Sequence, residues 1–294
     1  MDFNHAAELL KLCKEQELSI SQVMKKREAE LFQTTEQEVE DKMKKALKIM
    51  KNSVKEPLIQ PVKSVGGLIG GEAKKLEEHR RMGKSICGTM LSKAMTYAMA
   101  VLEVNASMGV IVAAPTAGSS GVVPGVLLAL QEEYGLDDGR ILNGLYTAGA
   151  VGYLLMRNAS VAGAEAGCQA EVGAASAMAA AAAVEVMGGT PDMCLNAAAT
   201  ALSNLLGLVC DPVAGLVEAP CQTRNSMGAA NALVCAEQAL AGIVHMIPFD
   251  EMAGAMYHVG RSLPFELRES ALGGCAGTAS ACKRTCEIFG GKEA

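Results

Sequence analysis

The sequence lacks tryptophan and holds only five tyrosines and five phenylalanines among its 294 residues. Large β-sandwiches and barrels are rich in aromatic and β-branched residues, so this scarcity argues against both architectures. It also argues against proteins that bind single-stranded nucleic acid, because these need aromatic side chains on which bases stack. The net charge of −6 provides no general basic surface for a duplex. We therefore expect no nucleic-acid partner.

Charge is absent from long stretches of the chain. Residues 104–130 carry no charged side chain, and residues 158–223 carry no lysine or arginine. A membrane span would explain the first stretch, but Gly109, Pro115 and Gly118 interrupt it and would leave backbone groups unpaired in lipid. We predict instead a helix, a buried loop over residues 114–121 and a second helix, with no membrane partner.

Apolar periodicity and alanine content predict helices along most of the chain. Residues 38–50 place their apolar side chains on one helix face, and eight of the ten residues 174–183 are alanine, the best helix former. Pro57 and Pro61 are predicted to end the helix that contains residues 38–50. Further helices are predicted over residues 85–109, 139–157, 192–209 and 227–245.

These patterns predict an all-α fold, a compact multi-helix domain with alanine-rich central helices and buried loops rich in glycine and proline. A single domain is predicted over residues 1–294, with charged N-terminal helices over 1–60 and a helical body over 61–294. Residues 1–100 hold 18 basic and 14 acidic side chains, whereas residues 101–294 hold 8 and 18. The charged side chains of the first part are typical of solvated helix faces.

Ten cysteines are present, although the polar start of the chain gives no sign of an export signal. We therefore expect a cytoplasmic protein with reduced thiols. The chain has no CxxC pair, which excludes zinc ribbons and thioredoxin-like motifs. Four cysteines sit in predicted helical runs and are interpreted as core residues: Cys13, Cys87, Cys194 and Cys235. Three lie beside glycine or proline near the ends of elements: Cys168, Cys210 and Cys221. Cys275, Cys282 and Cys286 have no assigned role.

Two loops have the composition of ligand-binding segments. Residues 64–71 contain four glycines in six positions, which would bring backbone N–H groups close to an anion or would simply form a tight turn. Residues 114–121 are uncharged and rich in hydroxyl groups, so the buried backbone there needs hydrogen-bond partners, some of which a ligand could supply. The four histidines are too scattered to form a local metal motif.

Several segments resemble one family. Residues 157–173 and 210–225 resemble the cysteine signatures of bacterial iron–sulfur L-serine dehydratases. Residues 114–124 look like the Pro-Thr loop of that family, residues 64–75 like its Gly-rich segment and residues 267–274 like its C-terminal signature. The motifs occur in the family's order over residues from about 20 to 290.

The resemblance implies an all-helical α part that carries a [4Fe–4S] cluster on three cysteines near the substrate. Carried over by motif, those ligands are Cys168, Cys210 and Cys221. The family's other half contains a Ser-Ser-Ser-His-Thr segment, which this chain lacks. The chain is therefore similar to the α subunit of a two-subunit enzyme, and a β subunit is the expected partner.

The implied reaction is β-elimination of water from L-serine, giving pyruvate and ammonia. No lysine stands in a convincing pyridoxal phosphate context, so we expect the open iron of the cluster to act as the Lewis acid instead. Two residues are candidates for catalysis, Lys75 as base or carboxylate partner and Ser64 as a donor, unless the base lies on the β subunit. The candidates for binding the amino-acid substrate are Gly66, Gly67, Thr116, Ser119, Ser120 and Asn158.

Two alternatives remain open at this point. The same cluster chemistry would also serve L-threonine or L-cysteine as substrate. A non-catalytic helical scaffold, in which the cysteines only fill the core, is the alternative from a different class of protein.

Overall fold

A computed structural model of the chain describes residues 1–290. Within them, thirteen α-helices follow one another, and the only β-pairing is an isolated bridge between Cys210 and Arg268. The helices are α1 Ala6–Gln16, α2 Ile20–Leu31, α3 Glu36–Ile59, α4 Glu72–Arg81, α5 Gly88–Ala106, α6 Val122–Tyr134, α7 Asp138–Asn158, α8 Gly163–Ala166, α9 Ala174–Val186, α10 Pro191–Asn204, α11 Cys221–Leu240, α12 Phe249–Ser262 and α13 Ala279–Phe289. The all-α prediction is confirmed.

Helix α9 forms the centre of the molecule. All of its residues except Glu185 are buried, and it packs against α6, α7, α10 and α11. Alanine side chains are short, so the neighbouring helices approach the α9 backbone closely. One hydrophobic core continues from Phe3 before α1 to Met256 in α12. The single-domain organisation stays a prediction, and this continuous core supports it.

The N-terminal helices begin at local capping signals. Ser19 and Gln22 form a capping box at α2, and Thr35 and Glu38 form one at α3. Helix α1 is capped from the other end of the chain, because the carboxylate of Asp250 accepts hydrogen bonds from the backbone N–H groups of Ala6 and Ala7 at 2.8 and 3.1 Å. The first helix is thereby attached to α12.

Some predicted helix ends are wrong. Helix α3 continues through Pro57 to Ile59, because a proline in the last turn removes a single hydrogen bond near an end that already has unpaired groups. Helix α5 begins only at Gly88, so Cys87 lies half-buried in the preceding turn and is not a core residue. Cys13, Cys194 and Cys235 are buried inside helices, as predicted.

Two further corrections concern the region of the cysteine motifs. Helix α10 stops at Asn204 rather than near residue 209, which leaves residues 205–207 to form a turn and residues 208–212 to run as a short extended segment through Cys210. Helix α11 begins at Cys221 rather than near residue 227 and ends at Leu240, because its first turn follows directly on Pro220. The early start places Cys221 at a helix N-terminus.

The loop between α5 and α6 joins two closely packed helices. Ser119, Ser120 and Gly121 are buried, whereas Met108 and Val110 earlier in the loop are exposed. A Cβ atom on Gly121 would lie 2.1 Å from the carbonyl oxygen of Ala98, so only glycine allows the start of α6 to approach α5 this closely. None of the helices over residues 1–290 is both long and apolar enough to cross a membrane.

Candidate functional site

Three cysteines from separate segments lie close enough for their thiols to influence one another. Cys168 precedes a π-helical turn over Gln169–Gly173 that leads into α9, a type of distortion that is frequent at functional sites. Cys210 lies on the extended segment after α10, and Cys221 is the first residue of α11. Cys168 and Cys210 are 3% and 4% exposed, and Cys221 is half-buried. The residues around them show how the segments are held together.

Backbone hydrogen bonds connect the Cys168 segment to the Cys210 segment. The N–H of Gln169 donates to the carbonyl of Leu208 at 2.9 Å. The Gln169 side chain accepts from the N–H of Gly207 at 2.9 Å and donates to the carbonyl of Met256 at 3.0 Å. Gln169 is itself 1% exposed, so these bonds form in the interior, where they are strong. The residue after one cysteine therefore fixes the approach to another.

The C-terminal signature at residues 267–274 packs on the Cys210 segment. The N–H of Cys210 donates to the carbonyl of Leu267 at 2.9 Å, and the N–H of Glu269 donates to the carbonyl of Cys210 at 2.7 Å. The carboxylate of Asp211 accepts a hydrogen bond from the N–H of Cys275 at 2.6 Å. Both sides of Cys210 are thus held by residues far along the chain.

A carboxylate and a hydroxyl border the thiols. The side chain of Thr116 donates to Glu171 at 2.9 Å, and the hydroxyls of Thr116 and Ser119 are 3.1 Å apart. The thiol of Cys210 lies 3.9 Å from the other carboxylate oxygen of Glu171. The Pro-Thr loop therefore reaches the cysteines through Glu171.

Space beside Cys210 is left by Gly163 at the start of α8. A Cβ atom there would lie 2.7 Å from a Glu171 carboxylate oxygen and 3.0 Å from the Cys210 Sγ. A larger residue would therefore have to displace the thiol or the carboxylate.

The electrostatics of the site disfavour free thiolates. Burial raises the pKa of Cys168 to about 11 and that of Cys221 to about 12, and in both cases the carboxylate of Glu171 contributes. Burial also raises the pKa of Cys210, with further increases from Glu171, Cys168 and Cys221. Burial raises the pKa of Glu171, assisted by Glu269 and opposed by the Thr116 hydroxyl. A bound cation stabilises the deprotonated form of such thiols, so metal binding releases their protons to solvent.

The donor set suits a polynuclear cluster better than a single metal ion. Over residues 1–290, no three side chains of His, Cys, Asp or Glu are arranged as ligands of one ion. An iron–sulfur cluster has a different requirement, because each cysteine binds a separate iron and the thiols stand further apart. Cys168 and Cys210 are buried, Cys221 is half-buried, and Gly163 leaves space beside one of these thiols, so the donor set is of the kind that such a cluster uses.

The Gly-rich loop binds a carboxylate that belongs to the chain itself. Glu218, which is 3% exposed, accepts hydrogen bonds from the Ser64 hydroxyl at 2.6 Å, from the Gly66 N–H at 2.7 Å and from the Leu68 N–H at 2.9 Å. The N–H of Gly67 donates to the carbonyl of Ser64 at 3.2 Å. The loop thus gathers donors around an anion, one of the two possibilities that its composition offered, and that anion is Glu218, three residues before Cys221. The predicted catalytic role of Ser64 and substrate-binding roles of Gly66 and Gly67 stay predictions.

The other predicted site residues have different surroundings. Lys75 is 76% exposed on α4 and lies 3.9 Å from the Glu72 carboxylate. Asn158 donates to the carbonyl of Asn4 at 2.7 Å. Neither contact involves the cysteine site, and the substrate or catalytic roles of these two residues stay predictions. Ser120 is fully buried, and its hydroxyl has no hydrogen-bond partner among residues 1–290.

Residue patterns alone did not single out three members of the site. Glu171, Glu218 and Arg224 lie within the segments 157–173 and 210–225, but no local pattern gives them a role. Arg224 carried a usable signal, since it is the first basic residue after Arg157. The position of Glu171, three residues after Cys168, was a second usable signal.

Comparison with known proteins identifies close relatives. Residues 15–276 match the model of a protein family described as "Serine dehydratase alpha chain". The chain is 48% identical to the "Probable L-serine dehydratase, alpha chain" of Bacillus subtilis, covering 98% of this chain and 96% of the relative. It is 46% identical to the "L-serine dehydratase, alpha chain" of Peptoniphilus asaccharolyticus, covering 94% of each chain.

One longer relative is matched over only part of its length. The "L-serine dehydratase" of Streptomyces coelicolor is 37% identical to this chain, and the match covers 93% of this chain but 60% of that relative. The longer protein therefore contains a substantial segment with no counterpart here.

Proposed function

Because this chain belongs to the serine dehydratase alpha chain family, we propose that it is the α subunit of an iron–sulfur L-serine ammonia-lyase. The reaction is the elimination of water from L-serine, which gives pyruvate and ammonia. The single observation that carries this proposal is the proximity of Cys168, Cys210 and Cys221, whose thiols influence one another in a largely buried site.

The three cysteines would hold a [4Fe–4S] cluster, whose fourth iron has no protein thiolate and supplies a Lewis acid for loss of the serine hydroxyl. The chain's own residues shape the surroundings. Thr116 and Ser119 present hydroxyls beside Glu171, and these groups offer both donors and acceptors to a small amino acid. Glu218 keeps the Gly-rich loop against the segment that leads to Cys221. Burial of the site excludes bulk water.

A β subunit completes the enzyme in this proposal. The two relatives named as alpha chains are covered almost end to end, whereas the longer Streptomyces coelicolor protein carries additional chain. We propose that a separate β chain supplies here what that additional segment supplies there, and that the complex acts in the cytoplasm on a small-molecule amino acid.

Anaerobic purification of the α chain together with its β chain tests the proposal. We expect a brown complex with iron and sulfide in near-equal amounts and with activity on L-serine. The variants Cys168→Ser, Cys210→Ser and Cys221→Ser should each lose iron and activity. Cys235→Ser is the matched control, because Cys235 is equally buried but lies within α11 away from the thiol site.

Two outcomes would contradict the proposal. An iron-free complex that is active on L-serine would exclude the cluster mechanism. Unchanged iron content in all three serine variants would favour a helical scaffold whose cysteines only pack. Comparison of kcat/KM for L-serine, L-threonine and L-cysteine identifies the substrate among amino acids that share this chemistry.

A further inference from the structure

One arginine joins the segments of two of the three cysteines. Arg224 lies one helical turn after Cys221 on α11. Its guanidinium Nη1 is 2.7 Å from the Asp211 carboxylate and donates to the carbonyl of Val209 at 2.8 Å. Val209 and Asp211 flank Cys210 in the sequence. Arg224 therefore ties the Cys221 helix to both sides of the Cys210 segment.

The positive charge of Arg224 therefore lies next to the segments that carry Cys210 and Cys221.

In the sequence, Arg224 is separated from the preceding basic residue by a long stretch without lysine or arginine. No lysine or arginine occurs over residues 158–223, which include Cys168, Cys210 and Cys221, and Arg224 follows directly. Its side chain is only 14% exposed, and its carboxylate partner on Asp211 is 3% exposed. A buried cation is costly unless it is paired, and the Asp211 carboxylate provides that pairing between the Cys210 and Cys221 segments.

We propose that Arg224 is a positioning residue for the metal centre: it holds the Cys210 and Cys221 segments in their relative places and brings a positive charge close to the thiolates when they bind a cluster. Arginine suits this task because its planar group makes several directed hydrogen bonds at once. The inference rests on the proposed function, since it concerns the cluster that the three cysteines would hold. It assigns Arg224 no contact with the reacting atoms.

The test uses the αβ complex reconstituted with iron and sulfide under anaerobic conditions. Arg224→Gln removes the charge and the ion pair with Asp211, and Arg224→Lys keeps the charge but not the planar geometry. We expect Arg224→Gln to bind the metal centre about 10–100-fold more weakly, the usual effect of removing a residue that orients metal ligands, and its cluster to bleach faster in air. Its reduction potential should also shift negative, because a nearby positive charge is lost. Arg224→Lys should retain a potential near that of the wild type and bleach at an intermediate rate.

Arg27→Gln is the matched control. Arg27 is also a buried arginine, with its Nε 3.1 Å from the Asp2 carboxylate and its guanidinium 4.0 Å from the centre of the Tyr153 ring. Its loss should lower the melting temperature of the apo-complex without changing cluster lifetime or potential. If Arg224 had only a structural role, both of its variants would behave like this control, which would overturn the inference.

The outcomes separate this inference from the function on which it rests. A wild-type complex that never binds iron contradicts the proposed function. A wild-type complex with a stable cluster, together with an Arg224→Gln cluster of equal lifetime and potential, contradicts only the role of Arg224. If Arg224→Gln fails to fold, Arg224→Lys still decides, since a shortened cluster lifetime with an unchanged apo-complex melting temperature supports the role and an unchanged lifetime rejects it.

Discussion

The hydroxyl of Ser64 and the carboxylate of Glu218, 154 residues apart in the chain, form a hydrogen bond of 2.6 Å. Around the same carboxylate, Gly66 and Leu68 contribute their backbone N–H groups. A loop that has the features of an anion-binding nest is therefore occupied by an anion of the chain itself. Its role in the molecule is to connect the segment before Cys221 to the start of α4.

The first prediction concerns this connection. Glu218→Ala should lower the free energy of unfolding by about 2–4 kcal/mol, because three donors lose a charged acceptor in a buried place. Glu218→Gln keeps the shape and one acceptor oxygen, so its loss should be about half as large. Urea unfolding of the α chain measures both. An alanine variant as stable as the wild type would show that the loop does not depend on this carboxylate.

The second prediction concerns the space beside Cys210. Gly163→Ala adds a methyl group that would contact both Glu171 and the Cys210 thiol, so we expect lower iron content after reconstitution and a loss of about 1–3 kcal/mol in stability. Iron analysis and thermal unfolding measure the two effects.

Gly254→Ala is the control for that substitution. An added Cβ at Gly254, inside α12, meets nothing within 4 Å. Alanine should stabilise this helix by about 0.5–1 kcal/mol and leave iron content unchanged. Equal iron content in both variants would contradict the role of the space at Gly163.

The third prediction concerns pH. Glu103 is 1% exposed, and its carboxylate accepts hydrogen bonds at 2.9 Å from the Ala73 N–H and from the Gln222 side chain. Burial raises the pKa of Glu103 from its ordinary value near 4.5. The folded state therefore binds more protons than the unfolded state between 4.5 and the higher folded pKa, so stability falls as pH rises through that window.

Glu103→Gln removes this ionisation. The free energy of unfolding of the variant, relative to the wild type, should increase as pH rises from 4.5 to neutrality. Denaturant unfolding at several pH values measures the difference. Parallel curves for the two proteins would show that Glu103 is ionised in the folded state with its ordinary pKa.

The fourth prediction concerns the attachment of α1. Asp250→Ala removes the acceptor for the Ala6 and Ala7 N–H groups, a loss of about 1 kcal/mol for a helix cap. Hydrogen exchange in α1 should become faster while α9 remains protected. Glu15→Gln is the control, since the Glu15 carboxylate is exposed and lies 3.8 Å from Lys11. Equal exchange rates in α1 for both variants would contradict the capping role.

Local patterns predicted much of the fold. Eight alanines over residues 174–183 identified the buried central helix, and the scarcity of aromatic residues indicated an all-α fold. Cys168, Cys210 and Cys221 were singled out by their immediate neighbours, since each lies beside glycine or proline near the end of an element. Helix propensity and periodicity act over a few turns, so they can locate elements of this kind.

The contacts that build the site could not be predicted in this way. The hydrogen bond between Cys210 and Leu267, and those between Glu218 and the Gly-rich loop, join residues distant in sequence. No periodicity encodes such pairs, because they depend on how the helices pack. The predicted start of α11 near residue 227 is six residues late. The helix begins at Cys221, directly after Pro220, and the prediction did not take this position into account.

The backbone pairing of Cys210 with Leu267 and Glu269 has a consequence for biosynthesis. On the ribosome, Cys168, Cys210 and Cys221 are all translated before the residues that hold the Cys210 segment in place. The nascent chain therefore exposes three thiols before the Cys210 segment can pair. That pairing forms only after residue 269 has left the exit tunnel, so the geometry around Cys210 is set later than the three cysteines emerge.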